Sequence, residues 1–162
     1  MPVLPRGAGS SQCGQTVGAA LVIDCSKHLA RINGFDREAM TASVEPGVVL
    51  DQLNAFLKPH GLWFPVDVST SAQATLGGMA GNNSCGSRSI AYGNMVHNVL
   101  AIDAILSDGT EARFGPEREM AAAPPRIAEL LRGLCAIGER EQGEIERNVP
   151  KVLRRVGGYN ID

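Results

Sequence analysis

Thr75-Leu76-Gly77-Gly78-Met79-Ala80-Gly81-Asn82-Asn83-Ser84-Cys85-Gly86-Ser87 sets the reading of this chain. The run holds four glycines among small polar residues and carries no charge. It makes a poor amphipathic helix or strand, because each glycine adds backbone freedom and no side chain to bury. Its amides and short side chains are left to donate outward, so it reads as a wall for a large polar ligand. A second glycine-rich run, Arg6-Gly7-Ala8-Gly9-Ser10-Ser11-Gln12-Cys13-Gly14-Gln15, lies upstream. The rest reads as scaffold holding the two runs at a fixed separation.

Composition bounds the function. A chain of 162 residues is one domain's worth and buries a core without staples. A hydrophobic share of 44% and a charged share of 20% are ordinary for a globular protein. The net charge of −2 supplies no basic field for nucleic acid or an anionic membrane. Aromatic residues, at 4%, are too few for a base-stacking platform. Cys13, Cys25, Cys85 and Cys135 show no C-x-x-C spacing, so no zinc or local iron–sulfur ligand set is read, and free thiols in a cytoplasmic protein are expected. His28, His60 and His97 lack a carboxylate or second histidine at ligand spacing and are assigned structural or surface roles. Both ends read as cut, so a fragment of a larger protein is expected.

Along the chain, Pro2-Val3-Leu4-Pro5 is a short extended edge. Leu21-Val22-Ile23-Asp24 is an apolar strand expected to be buried, residues 25–36 a connection, and residues 41–45 a second strand ended by Pro46-Gly47. A helix is expected over residues 48–58, with Val49, Leu50, Leu53, Phe56 and Leu57 on its apolar face. The central run has room for one helical turn around residues 79–82. Residues 99–106 and 111–114, joined by Ser107-Asp108-Gly109-Thr110, form a β-hairpin. A long helix covers residues 126–148, with a largely charged second half. Strands and helices mix without regular β-α-β alternation, which gives an α+β fold.

The first run is close to two phosphate-binding motifs and fits neither. Gly9-Ser10-Ser11-Gln12-Cys13-Gly14-Gln15-Thr16 has Gln15 where a P-loop needs its lysine, and it leads into a strand rather than a helix. Gly7-Ala8-Gly9-Ser10-Ser11 is followed by Gln12 where a dinucleotide fingerprint needs glycine. What remains is a nest of backbone amides for a diphosphate, or an ordinary surface loop. The central run likewise reads as a flavin-edge wall or as a tight structural corner.

A resemblance separates these readings. Arg6-Gly7-Ala8-Gly9-Ser10-Ser11 with Gly14-Gln15, then Val44-Glu45-Pro46-Gly47-Val48, Phe64-Pro65-Val66-Asp67, Ala74-Thr75-Leu76-Gly77-Gly78-Met79-Ala80-Gly81-Asn82-Asn83, Tyr92-Gly93 and Leu106-Ser107-Asp108-Gly109 occur in order. Together they resemble the FAD-linked oxidases of the vanillyl-alcohol oxidase and p-cresol methylhydroxylase type. That family includes D-lactate, glycolate and D-2-hydroxyglutarate dehydrogenases. The stretch from Phe64 and the run Asn82-Asn83-Ser84-Cys85-Gly86-Ser87-Arg88-Ser89 look most like its large members, which fuse a flavin part to an iron–sulfur part.

The resemblance implies a p-cresol methylhydroxylase-type FAD-binding domain, truncated at both ends, with residues 1–115 as its core and 116–162 as a helical extension. It implies that Arg6, Gly7, Ala8, Gly9, Ser10, Ser11, Gly14 and Gln15 hold the FAD pyrophosphate, with Ser10 where threonine is commoner. Pro65, Asp67, Ser69, Thr75, Gly77, Gly78, Asn82, Asn83, Ser84 and Gly86 would line the ribityl and isoalloxazine side, Tyr92 and Gly93 would close that loop, and Ile102 would offer its backbone. The implied reaction is oxidation of a small 2-hydroxy acid by hydride transfer to flavin N5, with electrons passed to an iron–sulfur centre, a quinone or oxygen. No catalytic residue and no metal ligand falls in this chain; those groups belong to parts of the family it lacks. The full-length protein is expected in the cytoplasm, or peripheral to a membrane, as a homo-oligomer or with a partner chain supplying the missing parts. The alternative is a truncated non-catalytic module that folds onto a partner and does not hold FAD alone.

Overall fold

The computed structural model describes residues 1–116 and 123–152. The chain forms two compact units, Met1–Asn98 and Val99–Asp162.

In the first unit, β1 (Val3–Arg6) pairs in parallel with β2 (Leu21–Asp24), in register Val3 to Leu21 through Arg6 to Asp24. The link between them is the glycine-rich loop, with no helix in it. Leu21, Val22 and Ile23 are exposed, which corrects the expectation of a buried strand. Parallel strands are normally covered on both faces, but β1 and β2 form a sheet of two strands only.

A second correction falls on residues 25–36. Their end forms β3 (Ile32–Asp36), antiparallel to β4 (Thr41–Val44). Gly34 and the flanking charges disguise this strand. The turn is made by Asp36, whose carboxylate accepts the amides of Glu38 and Ala39, and by Met40 at φ 53°.

Helix α1 (Leu50–Leu57) starts two residues later than its periodicity suggests and ends in one 3-10 turn (Lys58–His60), which Gly61 closes in the left-handed region. Val48 and Val49 instead serve a short antiparallel bridge: Leu76 donates to the Val48 carbonyl, Leu50 to the Ala74 carbonyl, and Val49 sits opposite Thr75. Val48, Leu50, Leu53, Leu57, Val66, Leu76, Met79 and Met95 make the core. Phe56 is not part of it. It is half exposed, edge-on to Phe35 at 5.6 Å, with His60 4.6 Å from Phe35, so this trio fastens the β3–β4 hairpin to α1. Three short helices follow: α2 (Leu76–Gly81), α3 (Ser89–Tyr92) and α4 (Met95–Asn98).

In the second unit, β5 (Ile102–Ile105) and β6 (Glu111–Phe114) form the expected hairpin, with β5 shorter than the apolar run around it. Asp108 holds the turn by accepting from the Thr110 amide. Helix α5 (Pro125–Asn148) carries Pro125 in its first turn, where no amide is needed. Of its apolar residues Ile127 is fully buried, whereas Leu134 is exposed. No helix among the described residues is long and apolar enough to cross a membrane.

Candidate functional site

The first glycine-rich loop leaves β1 at Arg6. Cys25 donates its amide to the Arg6 carbonyl at 2.9 Å, and the Arg6 guanidinium lies 3.3 Å from Asp24. The Asp24 carboxyl is held below its ordinary value, first by the Ser26 hydroxyl and then by the Ser26 amide, with Arg6 adding to both. The side chain of Arg6 therefore braces the two strands. Beyond it, Gly9 at φ 69° and Gly14 at φ 87° take left-handed conformations that favour glycine, and they fold the loop back on itself. Ser11 donates its hydroxyl to the Gln15 side-chain carbonyl at 2.8 Å, closing the bend. Ala8, Gly9 and Ser10 are exposed, and their amides meet no protein acceptor among the described residues. That is the condition for a backbone anion nest.

The central run is built on a ledge. Glu45 accepts from the Arg31 backbone amide at 2.8 Å and from its guanidinium at 3.0 and 2.7 Å. This fixes Pro46, whose carbonyl accepts the Gly77 amide at 2.8 Å. Arg31 and its amide hold the Glu45 carboxyl below the usual range. A carboxylate with a lowered folded pKa stabilises above its unfolded pKa, and the contribution is lost as pH falls through the folded value. Glu45→Gln is therefore expected to melt below the parent at neutral pH. The gap should close between about pH 5 and pH 3, and a gap constant with pH would exclude the clamp.

Above the ledge, buried Thr75 caps α2 by accepting the Gly78 amide at 3.4 Å, while Leu76 and Met79 anchor the helix in the core. Gly78 and Gly81 face outward. Asn83, at φ 44°, accepts the Val96 amide, and Asn82 donates its side-chain amide to the Ser84 hydroxyl. Buried Ser84 is tied at both backbone groups, to Met79 and to Met95.

The two runs meet. A Cβ on Gly7 would stand 2.0 Å from the Thr75 hydroxyl oxygen, so the first loop passes with its bare backbone against the cap of α2. The scaffold thus joins the runs at one seam rather than holding them apart.

A second close approach lies at the other end of the central run. A Cβ on Gly86 would fall 1.4 Å from the Asp67 carbonyl oxygen. The Asp67 carboxylate accepts from the Ser87 hydroxyl at 2.7 Å and the Arg88 amide at 2.9 Å. Burial alone would raise the Asp67 carboxyl, but these hydrogen bonds and the Arg88 charge hold it below its usual value. Its oxygens thus serve the loop. Buried Val66 anchors this segment, with Pro65 half-buried and Ser69 exposed. Tyr92 is exposed at the end of α3, and Gly93 at φ 78° leads to His97, whose Nδ1 accepts the Asn94 amide at 3.0 Å.

Arg6 to Gln15, Pro65 to Ser69, Thr75 to Gly86, and Tyr92 with Gly93 all belong to the first unit; Ile102 stands exposed on β5 in the second. No cluster of His, Cys, Asp or Glu able to hold a metal occurs among the described residues. The sequence reading missed Trp63 and Arg88, which pack together beside Asp67. The available signal was the chain's one tryptophan, immediately before Phe64-Pro65-Val66-Asp67.

Residues 1–115 match a family described as FAD binding domain. The chain is 37% identical over 162 residues to D-2-hydroxyglutarate dehydrogenase of Pseudomonas putida, covering 97% of the chain and 16% of that protein. It is 43% identical over 168 residues to D-2-hydroxyglutarate dehydrogenase of Haemophilus influenzae, again covering 97% of the chain and 16% of that protein. It therefore spans about a sixth of the length of these relatives. Among solved structures, an alkyldihydroxyacetonephosphate synthase superposes with a TM-score of 0.63 at 22% identity, over 72% of this chain and 24% of that one. That likeness carries the fold alone.

Proposed function

We infer a function from one premise: this chain belongs to the family of FAD binding domains, with the p-cresol methylhydroxylase-type fold, and FAD is its cofactor. We propose that the chain is the cofactor-holding portion of an oxidoreductase that oxidises a 2-hydroxy acid of the D-lactate, glycolate or D-2-hydroxyglutarate kind. The observation that carries the proposal is the seam at Gly7 and Thr75, which brings two outward-facing glycine-rich runs onto one unit.

In this reading the amides of Ala8, Gly9 and Ser10 receive the diphosphate, with the Ser10 hydroxyl beside them and Gly14 and Gln15 closing the loop. Backbone donors serve here where a cationic side chain is lacking, since Arg6 is turned toward Asp24. Gly78, Asn82 and Asn83 form the wall for the ring and ribityl chain, and Gly77, Ser84 and Gly86, packed against protein, hold that wall in shape. Pro65, Asp67 and Ser69 shape its rim, and Tyr92 and Gly93 close it. A bound flavin would supply the redox chemistry, namely hydride acceptance at N5 and onward electron delivery to an iron–sulfur centre, quinone or oxygen. This chain's residues bind, orient and exclude water; none is assigned as a general base. Residues 1–115, the span matched by the family, are the cofactor-binding core in this reading.

Gly78 tests the proposal. It faces outward, and a Cβ there meets only the Thr75 hydroxyl, at 3.1 Å. Gly78→Leu is expected to keep the far-ultraviolet circular dichroism of the parent and to weaken FAD binding by roughly tenfold or more, since the added volume enters a fitted wall. Equal FAD titration curves for parent and variant would remove the wall from this place.

The second reading, a module that folds onto a partner chain and does not hold FAD alone, draws support from exposed Leu21, Val22 and Ile23. Flavin titration of the chain by itself separates the two.

A further inference from the structure

We propose that Arg88 is a positioning residue: seated on Trp63 and facing Asp67, it locks the loop around Asp67 and helix α3 into a single wall. Its guanidinium carbon lies 4.7 Å from the centre of the Trp63 ring. Its Nε is 3.9 Å from one Asp67 carboxylate oxygen, while its backbone amide donates to the other at 2.9 Å. The Trp63 ring in turn meets Tyr92 edge-on at 5.2 Å. Arg88 is also the N-cap of α3, and its carbonyl accepts the Ala91 and Tyr92 amides. One residue thus touches the Asp67 segment twice, and it reaches Tyr92 both through the helix and through Trp63.

The chemistry asks for arginine. A planar guanidinium lies flat on an indole while its edge faces a carboxylate; an ammonium does one or the other. The stack stands at the surface, with Trp63 41% accessible. Its effect is to couple Asp67 to Tyr92, two residues of the proposed rim. The inference takes its ligand from the FAD reading; the coupling itself does not depend on that reading.

The test uses the 162-residue chain with Arg88→Ala, Arg88→Lys and Trp63→Phe. FAD is titrated while the emission of Trp63, the sole tryptophan, is followed. In parallel, amide hydrogen exchange is measured on the ligand-free chains. Arg88→Ala is expected to shift Trp63 emission to the red, to speed exchange of the amides of residues 91–93, and to raise the Kd for FAD roughly three- to tenfold. Arg88→Lys keeps the charge without the flat face and should recover only part of the loss. Trp63→Phe should speed the same amides to a smaller extent. Unchanged exchange at residues 91–93 in Arg88→Ala overturns the proposal, as does a parental Kd in that variant. If the parent itself takes up no FAD, the flavin reading fails, and the exchange comparison alone decides the role of Arg88.

Discussion

Gly86→Ala is expected to destabilise the first unit by about 4 kcal/mol or more. The added Cβ would lie 1.4 Å from the Asp67 carbonyl oxygen, 2.4 Å from its carbon and 2.3 Å from a carboxylate oxygen. The nearest atoms are backbone, so no rotamer change clears them. The two segments must part, which strips the Ser87 and Arg88 donors from the Asp67 carboxylate and pulls the Gly86 amide from the Ser89 hydroxyl, now 3.0 Å away. Overpacking typically costs about 1–3 kcal/mol, and each lost hydrogen bond to a charged group about 1.5–3 kcal/mol. Against a total of about 5–15 kcal/mol for a domain, that approaches loss of the fold. Gly81→Ala is the control, because nothing lies within 4 Å of a Cβ there. Its urea midpoint should equal or exceed the parent's, since Ala replaces a helical glycine there, while that of Gly86→Ala falls sharply. Coincident midpoints for the two variants would mean that Gly86 and Asp67 are not in contact.

Gly7→Ala strikes the seam itself. Its Cβ would stand 2.0 Å from the Thr75 hydroxyl oxygen and 3.2 Å from the Thr75 Cβ. Thr75 is 2% exposed and its hydroxyl caps α2, so it has no free space to rotate into. A cost of about 2–3 kcal/mol is expected, together with loss of FAD binding as the two runs separate. The decisive measurement is a double-mutant cycle. Thr75→Ala by itself removes a cap, worth about 1 kcal/mol. In the Gly7→Ala background it also removes the clashing oxygen, so the double variant should be more stable than Gly7→Ala alone. The coupling should lie on the order of 1–3 kcal/mol. Strict additivity would place the loop and the cap apart.

These contacts show where sequence reading stops. Helix α1, the hairpin over residues 102–114 and helix α5 were legible because periodicity and turn chemistry are local. β3 was not, since Gly34 and its charged neighbours hide a strand whose pairing with β4 is set by the Asp36 turn. The exposure of Leu21, Val22 and Ile23 was also illegible, because an apolar run states what a strand prefers and not what covers it. Both glycine-rich runs stood out by composition, but composition does not separate a glycine that faces a ligand from one that faces protein. Gly78 looks outward, whereas Gly7 and Gly86 are glycine because Thr75 and Asp67 occupy the space a side chain would need. Asp67 was read as lining a cofactor, and its two oxygens prove to be engaged by Ser87 and Arg88.

The ribbon of β1 and β2 has one further consequence. Two short strands, exposed along Leu21, Val22 and Ile23, brace the ends of the first loop beside the seam at Gly7. Such a ribbon opens locally at small free-energy cost, well short of global unfolding. Any molecule that grips the loop draws its two ends together and staples the ribbon shut, so occupancy and local folding rise as one event.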